Sequence, residues 1–205
     1  MHSIFEQLAT YKIVPVITLH DAKDAVPLAE ALIAGGLPCA EVTFRTPAAA
    51  AGIKAMTDAF PQMLVGAGTV LTPAQADAAV AAGAKFIVAP GLNPEIVRYC
   101  QQKNVPMLPG VMTPSEVEQG LALGLTHLKF FPAQAAGGVG MLRALSAPYG
   151  AVKFMPTGGI DAGNVKDYLS LPNVFACGGS WMVKDNLIKE GNFAEIERLT
   201  KEATA

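Results

Sequence analysis

The feature that most constrains the fold is a regular alternation of apolar, strand-like runs with helical stretches along the whole chain. The apolar runs number eight, and we predict one strand in each: residues 13–18, 40–45, 64–70, 86–90, 106–111, 127–132, 152–157 and 174–179. Helices are predicted between them, for example over residues 24–34, 48–60, 73–82 and 115–123. This alternation is typical of a parallel sheet covered by helices.

The length of the chain bears on whether this sheet is closed or open. The 205 residues suit one domain and lie near the short limit of roughly 200 residues for a complete β/α barrel. Eight strand–helix units in so short a chain favour a closed (β/α)8 TIM barrel over an open doubly wound sheet. We therefore predict a single α/β domain over residues 1–205, with an extra N-terminal helix at residues 4–11 across the barrel floor.

Composition argues against several classes of partner. The net charge is −2 with a sequence pI near 5.9, and the scattered Lys and Arg residues predict no nucleic-acid surface. Every apolar run is broken well short of the about 20 residues that cross a membrane, and the start lacks a secretory signal pattern. Three widely spaced cysteines predict neither disulfides nor a zinc site, which favours a cytoplasmic location. No nucleotide-binding or zincin motif occurs, so interpretations as a dinucleotide-binding, ATP-binding or zincin protein have no support.

Four strand-to-helix joins carry a similar pair of residues, in which a capping residue stands before proline. The pairs are Thr46-Pro47, Thr72-Pro73, Asn93-Pro94 and Thr113-Pro114. Such pairs are typical of a helix whose first position is proline. We predict that a helix begins at each of them.

The second predicted strand carries charges where an apolar interior is expected. Alternation places Glu41, Thr43 and Arg45 on one face of the strand, and Val42 and Phe44 on the other. Glu and Arg are rarely buried without partners, so a polar face inside a barrel needs a reason. That reason is either a catalytic site at the carboxyl ends of the strands or a structural ion pair that braces the barrel.

A single lysine interrupts the otherwise apolar sixth strand. Lys129 lies within residues 127–132, whereas Lys12, Lys85 and Lys153 lie at or near strand starts, where an ammonium group can reach solvent. A desolvated amine favours its neutral form, which is the form that attacks a ketone to give a Schiff base. The alternative is a lysine that snorkels out between the helices.

Two histidines are further candidates for acid–base chemistry. His20 follows the first strand, and His127 stands two residues before Lys129. A second general base at His127 is one interpretation, but a structural polar residue at the start of the strand is favoured.

Glycine turns follow the last two predicted strands. Gly158 and Gly159 end the seventh strand, and Gly178, Gly179 and Ser180 end the eighth. Glycines let backbone N–H groups approach an anion closely, and loops after strands seven and eight often form the phosphate site of a barrel. Gly-Gly is common in plain turns, but both turns at these positions favour a phosphorylated ligand.

These residues occur within five segments that, in this order, resemble a known family. The segments are Glu-Val-Thr-Phe-Arg-Thr at 41–46, Val-Gly-Ala-Gly-Thr-Val at 65–70, Lys-Phe-Phe-Pro-Ala at 129–133, Pro-Thr-Gly-Gly-Ile at 156–160 and Gly-Gly-Ser at 178–180. The chain is similar to 2-keto-3-deoxy-6-phosphogluconate (KDPG) aldolases and 4-hydroxy-2-oxoglutarate (KHG) aldolases from about residue 14 almost to its C-terminus. The combined pattern is far more specific than any one segment.

The resemblance implies a class I aldolase that cleaves KDPG to pyruvate and glyceraldehyde 3-phosphate, as in the Entner–Doudoroff pathway, without a metal or cofactor. It implies that Lys129 forms the Schiff base and that Glu41 is the general acid and base. The other implied site residues are Arg45 and Thr69 at the pyruvate carboxylate, Pro90 and Phe131 in the pocket wall, Thr157 at the substrate hydroxyls, and Gly158, Gly159, Gly179 and Ser180 at the phosphate. A homotrimer is also implied.

One departure and several alternatives stay open. Gln134 stands where some relatives have glutamate, which puts only local hydrogen bonding in question. The same chemistry on KHG would give pyruvate and glyoxylate, and a C4 epimer of KDPG is a third substrate. From other classes, an isomerase would use Glu41 as base and Lys129 as a clamp, and a sensing barrel would bind a sugar phosphate without turnover.

Overall fold

The computed structural model describes residues 3–205, and the first two residues lie outside the described part. All eight predicted strand regions contribute to a sheet, and one of them is divided in two. The strands are β1 (Ile13–Ile17), β2 (Cys39–Thr43), β3 (Leu64–Gly68), β4 (Ile87–Val88), β5 (Met107–Leu108), β6 (Gly110–Val111), β7 (His127–Phe130), β8 (Lys153–Pro156) and β9 (Cys177–Gly179).

Helices follow most of these strands. The α-helices of the described range are α1 (Ile4–Tyr11), α2 (Ala25–Ala34), α3 (Ala49–Ala59), α4 (Pro73–Ala81), α5 (Pro94–Gln102), α6 (Pro114–Ala122), α7 (Gly138–Ser146), α8 (Val165–Leu169), α9 (Asp185–Lys189) and α10 (Phe193–Thr204). A 3₁₀ turn at Ala22–Asp24 occupies the start of the predicted second helix. Within this range no helix is long and apolar enough to cross a membrane.

Every strand pair is parallel, and the sheet is curled. Six strands pair in the order β5-β4-β3-β2-β1-β9, and three pair in the order β6-β7-β8. Two isolated parallel bridges, Phe154 with Val174 and Thr157 with Gly178, join the region of β8 to that of β9. The predicted α/β class with a parallel sheet is therefore confirmed.

Proline explains why the predicted strand over residues 106–111 is divided. Pro109 separates β5, which pairs with β4, from β6, which pairs with β7. Proline has no N–H to donate to a neighbouring strand, although its carbonyl still accepts a bond of 3.0 Å from the N–H of Lys129. The prediction of one continuous strand was wrong at this residue.

The helix starts follow the predicted caps at three of the four joins. Thr72, Asn93 and Thr113 each accept a backbone hydrogen bond at the start of α4, α5 and α6. The prediction for Thr46 was wrong, because α3 begins after Ala48 and has no side-chain cap. The Thr46 hydroxyl instead donates to the carbonyl of Leu19, so it ties the loop after β2 to the loop after β1.

A small apolar cluster lies apart from the larger core that packs the helices against the sheet. Its buried members are Leu8, Val14, Cys39, Leu64, Phe86, Val88, Leu108, Met155 and Ala176. Leu8 comes from α1, while Cys39 and Leu64 are the first residues of β2 and β3. The N-terminal helix therefore contacts the side of the sheet where the strands begin.

Burial makes the three cysteines poor nucleophiles. All are free and buried. Desolvation raises the pKa of Cys100 to about 11 and that of Cys177 to about 12, and it raises the pKa of Cys39 as well. Since the thiolate is the reactive form, these thiols stay protonated and unreactive at neutral pH.

His127 is a structural residue at the amino end of β7. Its ring stacks on Phe5 with centroids 4.9 Å apart and meets the edge of Phe175 at 5.2 Å. Burial lowers the pKa of His127, the charge of Lys153 lowers it further, and Glu6 opposes these effects. The interpretation as a second general base loses its support, because the strand places this ring at the opposite end from the glycine turns.

The lowered pKa of His127 predicts an acid-dependent loss of stability. The unfolded chain binds more protons than the native state, so the contribution of the neutral ring is complete above about pH 6.5 and is lost as pH falls below that value. We expect the free energy of unfolding to decrease from pH 7 to pH 5, and the decrease to be smaller in His127→Phe, which keeps the aromatic contacts. Urea unfolding at both pH values measures the free energy of unfolding. An equal decrease between pH 7 and pH 5 in the wild type and in His127→Phe would contradict the prediction.

Candidate active site

A buried ion pair joins two strands that are not neighbours in the sheet. The Nζ atom of Lys129, on β7, lies 3.3 Å from Oε1 of Glu41, on β2. Lys129 is 5% exposed and Glu41 is fully buried. Because β2 and β7 belong to separate parts of the sheet, the two side chains meet across the interior of the curl. The alternative of a lysine that snorkels between helices is therefore wrong.

The second oxygen of Glu41 is available for chemistry. Oε2 is buried and has no hydrogen-bond partner among the described residues. A buried carboxylate oxygen without a partner costs free energy, so such groups often belong to functional sites. Beside the pair, the Lys129 ammonium lies 5.2 Å from the centre of the Phe131 ring, which forms one wall next to the lysine.

Gly68, the last residue of β3, makes room for this pair. A Cβ atom on Gly68 would lie 2.2 Å from Oε1 of Glu41 and 2.7 Å from its Cγ. Glycine within a strand often marks such a close approach. The Gly-Ala-Gly pattern at residues 66–68 was a signal that could have identified this residue from the sequence.

Substitution of Gly68 is expected to displace the carboxylate. We predict that Gly68→Ala lowers kcat by about 10²-fold, because a shift on the order of 1 Å at a catalytic group costs about that much. Gly140→Ala is the matched control, since a Cβ at Gly140 meets nothing within 4 Å. Steady-state kinetics of the two variants measure the effect, and equal kcat values would contradict it.

Thr43 lies on the same face of β2 as Glu41, as predicted, but the strand ends at Thr43 and Arg45 lies in the turn that follows it. The Thr43 hydroxyl is buried, donates to the carbonyl of Ile17 at 2.8 Å and accepts from Nε of Arg45 at 3.1 Å. Arg45 follows the end of the strand and is exposed. Glu41 pairs with Lys129, whereas Arg45 bonds to Thr43, so the two charged residues of this segment do not pair with each other.

The two glycine turns and Arg45 line one cavity. Its volume is about 190 Å³. The predicted residues that line it are Arg45, Phe131, Thr157, Gly158, Gly159, Gly179 and Ser180. Phe131 also contacts Lys129, so this cavity begins beside the ion pair. Val16, Ile160 and Gly178 line it too. Gly178 belongs to the predicted second glycine turn, whereas Val16 and Ile160 had been assigned no role in the site.

Backbone conformation explains the glycines of the first turn. Gly158 has a φ of 101° and Gly159 a φ of 73°, and residues with side chains rarely adopt these values. In the second turn, close packing excludes a side chain, because a Cβ on Gly179 would lie 1.9 Å from the ring of Trp181. Both turns therefore present bare backbone to the cavity, which suits an anion.

Thr69 and Pro90 lie at the same end of the sheet but outside this cavity. Both are half-buried; Thr69 directly follows β3, and Pro90 is the second residue after β4. Thr69 has a φ of 56°, which is uncommon for a β-branched residue and typical of strained positions at functional sites. Pro90 packs on Gly110, whose partner in the sheet is Lys129.

A larger cavity of about 700 Å³ adjoins the first and shares Arg45, Gly159 and Ser180 with it. It also contains Asp161 and Lys184. Neither residue belongs to a motif that sequence reasoning singled out. Among residues 3–205, no group of three or more His, Cys, Asp or Glu side chains could hold a metal ion.

Fold and site together define a class of protein. It is a parallel α/β protein that carries a buried lysine–glutamate pair beside a glycine-rich cavity at the carboxyl ends of its strands. Enzymes that form a Schiff base need such a desolvated lysine with a nearby proton acceptor.

Comparison with known proteins identifies the family within that class. The family described as "KDPG and KHG aldolase" matches residues 4–199, and the chain belongs to this family. The chain is 50% identical over 199 residues to a 2-dehydro-3-deoxy-phosphogluconate aldolase of Haemophilus influenzae, with 97% of this chain and 94% of the relative covered. It is 48% identical over 202 residues to the enzyme of that name from Treponema pallidum, with 98% and 96% covered.

A solved structure agrees with the whole chain. The KDPG aldolase of Legionella pneumophila, crystallised with pyruvate captured as a covalent carbinolamine intermediate, superposes with a TM-score of 0.96. The two sequences are 45% identical, and the match covers 100% of this chain and 99% of the other.

Proposed function

We propose that this protein is a class I aldolase that cleaves KDPG to pyruvate and glyceraldehyde 3-phosphate. The observation that carries this proposal is the buried pair of Lys129 and Glu41, 3.3 Å apart. It places an amine that can form a Schiff base beside a carboxylate that can move protons. Membership of the KDPG and KHG aldolase family supports the same conclusion.

The first step is formation of the Schiff base. Transfer of a proton from the Lys129 ammonium to Glu41 leaves a neutral Nζ, which attacks the C2 ketone of the substrate. The proton that this nitrogen then loses moves to the ketone oxygen and gives a carbinolamine. Glu41 then protonates the departing hydroxyl, and loss of water leaves an iminium ion. A carbinolamine of pyruvate is the intermediate captured in the Legionella relative.

The second step is cleavage of the bond between C3 and C4. Its electron pair moves into the iminium to give an enamine, while Glu41 removes the proton of the C4 hydroxyl directly or through water. Glyceraldehyde 3-phosphate leaves as the aldehyde. Protonation of the enamine at C3 and addition of water then release pyruvate and restore the free lysine.

The remaining site residues bind the two ends of the substrate. We assign the carboxylate to Arg45 and Thr69, because a guanidinium binds carboxylates well and Thr69 is held in a strained conformation at this edge. Pro90 and Phe131 shape the pocket, and Thr157 contacts the substrate hydroxyls. The phosphate is assigned to the bare backbone of Gly158, Gly159 and Gly179 with the Ser180 hydroxyl.

Three further features are part of this proposal. The two parts of the sheet would form one closed (β/α)8 barrel domain with α1 across its floor, which the bridges between β8 and β9 and the contacts of Leu8 support. The three free cysteines suit a reducing, cytoplasmic setting. The assembly would be a homotrimer, as the resemblance implies.

A comparison of three substrates tests the assignment of KDPG as the substrate. Pyruvate release is measured with KDPG, its C4 epimer and KHG, by coupling to the oxidation of NADH through lactate dehydrogenase. We expect kcat/KM for KDPG to exceed that for KHG by at least about tenfold, because KHG lacks the phosphate that the glycine turns would bind. A higher value for KHG would make the protein a KHG aldolase, and no pyruvate from any substrate would favour an isomerase or a sensing barrel.

A further inference from the structure

A hydrogen bond between two side chains joins the segment after Lys129 to α8. Gln134 lies five residues after Lys129, and the hydroxyl of Tyr168 donates a hydrogen bond of 2.7 Å to its Oε1 atom. Tyr168 is only 1% exposed. The core therefore fixes the phenol ring, and the ring in turn fixes the end of the Gln134 side chain.

Gln134 contacts the first glycine turn directly. Its backbone N–H donates to the carbonyl of Gly158 at 3.0 Å. A Cβ atom on Gly159 would lie 2.5 Å from the Cβ of Gln134, so the turn packs closely on this residue. A displacement of Gln134 would therefore move both glycines.

The other side of the turn is tied to α8. Asn164, which precedes this helix, donates from Nδ2 to the carbonyl of Gly159 at 2.9 Å. Its Oδ1 accepts from the backbone N–H of Asp161 at 3.0 Å. Because α8 also carries Tyr168, the contacts form a closed ring that surrounds the turn.

We propose that Tyr168 and Gln134 are positioning residues for the phosphate group of the substrate. Two consecutive glycines at positive φ have many alternative conformations, so an external constraint is needed to keep their N–H groups aimed at one point. The bond between Tyr168 and Gln134 supplies that constraint. The inference rests on the proposed function only for the assignment of this turn to phosphate. Gln134 does not line the cavity, so it acts on the substrate through the turn.

Two single variants and their combination test the proposal. Tyr168→Phe removes the hydroxyl and keeps the buried ring, while Gln134→Ala removes the amide and keeps the Cβ on which Gly159 packs. Tyr149→Phe is the matched control, because it removes a tyrosine hydroxyl that bonds to Glu118 and to the carbonyl of Pro114, and none of these residues lines the cavity. KM for KDPG and the inhibition constant of inorganic phosphate are measured for each protein.

A second readout separates positioning from a general structural role. Exchange of the methyl protons of pyruvate with solvent, followed by NMR in deuterated water, requires the Schiff base but no phosphate contact. We expect both single variants to raise KM for KDPG and the phosphate inhibition constant by about fivefold, the size of one hydrogen bond. The rate of pyruvate exchange should stay within about twofold of the wild-type rate, which is on the order of the measurement error. The double variant should show the same KM and phosphate inhibition constant as the single variants, because both substitutions remove the same hydrogen bond.

Other outcomes overturn the inference in distinct ways. Unchanged phosphate inhibition in both variants would show that the bond does not hold the turn. Equal losses in exchange and in phosphate binding would show a general structural role. If wild-type protein shows no pyruvate exchange, the proposed function fails, whereas intact exchange with unchanged phosphate binding means that only this inference fails.

Discussion

Lys129→Ala is expected to lower kcat for KDPG cleavage by on the order of 10⁴-fold or more, because no other group supplies the covalent step. The substitution also leaves the buried carboxylate of Glu41 without its cation, which is destabilising. Lys129→Arg keeps a positive charge but cannot form the imine, so we expect the same loss of activity with less loss of stability. Pyruvate release and thermal unfolding are measured for both variants.

Lys153→Ala is the matched control for this prediction. Lys153 lies on the neighbouring strand β8, and its Nζ donates to the carbonyl of Pro172 at 3.1 Å, away from the glycine turns. Its replacement should leave kcat near the wild-type value. Appreciable turnover by Lys129→Ala, with the control fully active, would remove Lys129 from the mechanism.

Glu41→Gln has the second largest expected effect. The amide keeps the shape of the side chain but cannot carry protons, so we predict a decrease in kcat of about 10²- to 10⁴-fold, the range for general acid–base catalysis. Some imine should still form, because Lys129 remains. Steady-state kinetics with KDPG and mass spectrometry after borohydride reduction with pyruvate measure the two effects separately.

The outcome that contradicts this role is specific. If Glu41→Gln retains wild-type kcat, Glu41 does not transfer protons in the reaction and has only a structural role. If it forms no adduct at all, its main contribution is to hold Lys129 in place. Retained adduct with a much lower kcat is the combination that the mechanism requires.

The order of elements could be predicted from the sequence because each strand is a run of apolar residues between helical stretches. Their ends were less predictable, since they depend on which neighbour is available for hydrogen bonding. Pro109 divides one strand where its missing N–H interrupts the pairing. Thr46 resembles a helix cap but bonds to the loop after β1 instead.

The site was predictable where single residues broke a local pattern. Glu41 and Lys129 stood out as charges within apolar strands, and the glycine turns stood out by their place after the last strands. The distance between Lys129 and Glu41 could not be predicted, because 88 residues separate them and their contact depends on the curl of the sheet. The role of Tyr168 was not predictable for a similar reason, since its partner Gln134 is 34 residues away in the sequence. For Gly68 the sequence shows the glycine pattern but not the carboxylate for which it makes room.

The most direct test of the central claim is reduction of the protein with sodium borohydride in the presence of pyruvate. Intact mass followed by peptide mapping then locates any adduct, with Lys129→Ala treated in parallel. The proposed mechanism predicts one pyruvyl adduct per chain, confined to Lys129 and absent from the variant. No adduct, or an adduct on another lysine, would contradict the Schiff-base mechanism and favour an isomerase that uses Lys129 only as a charge.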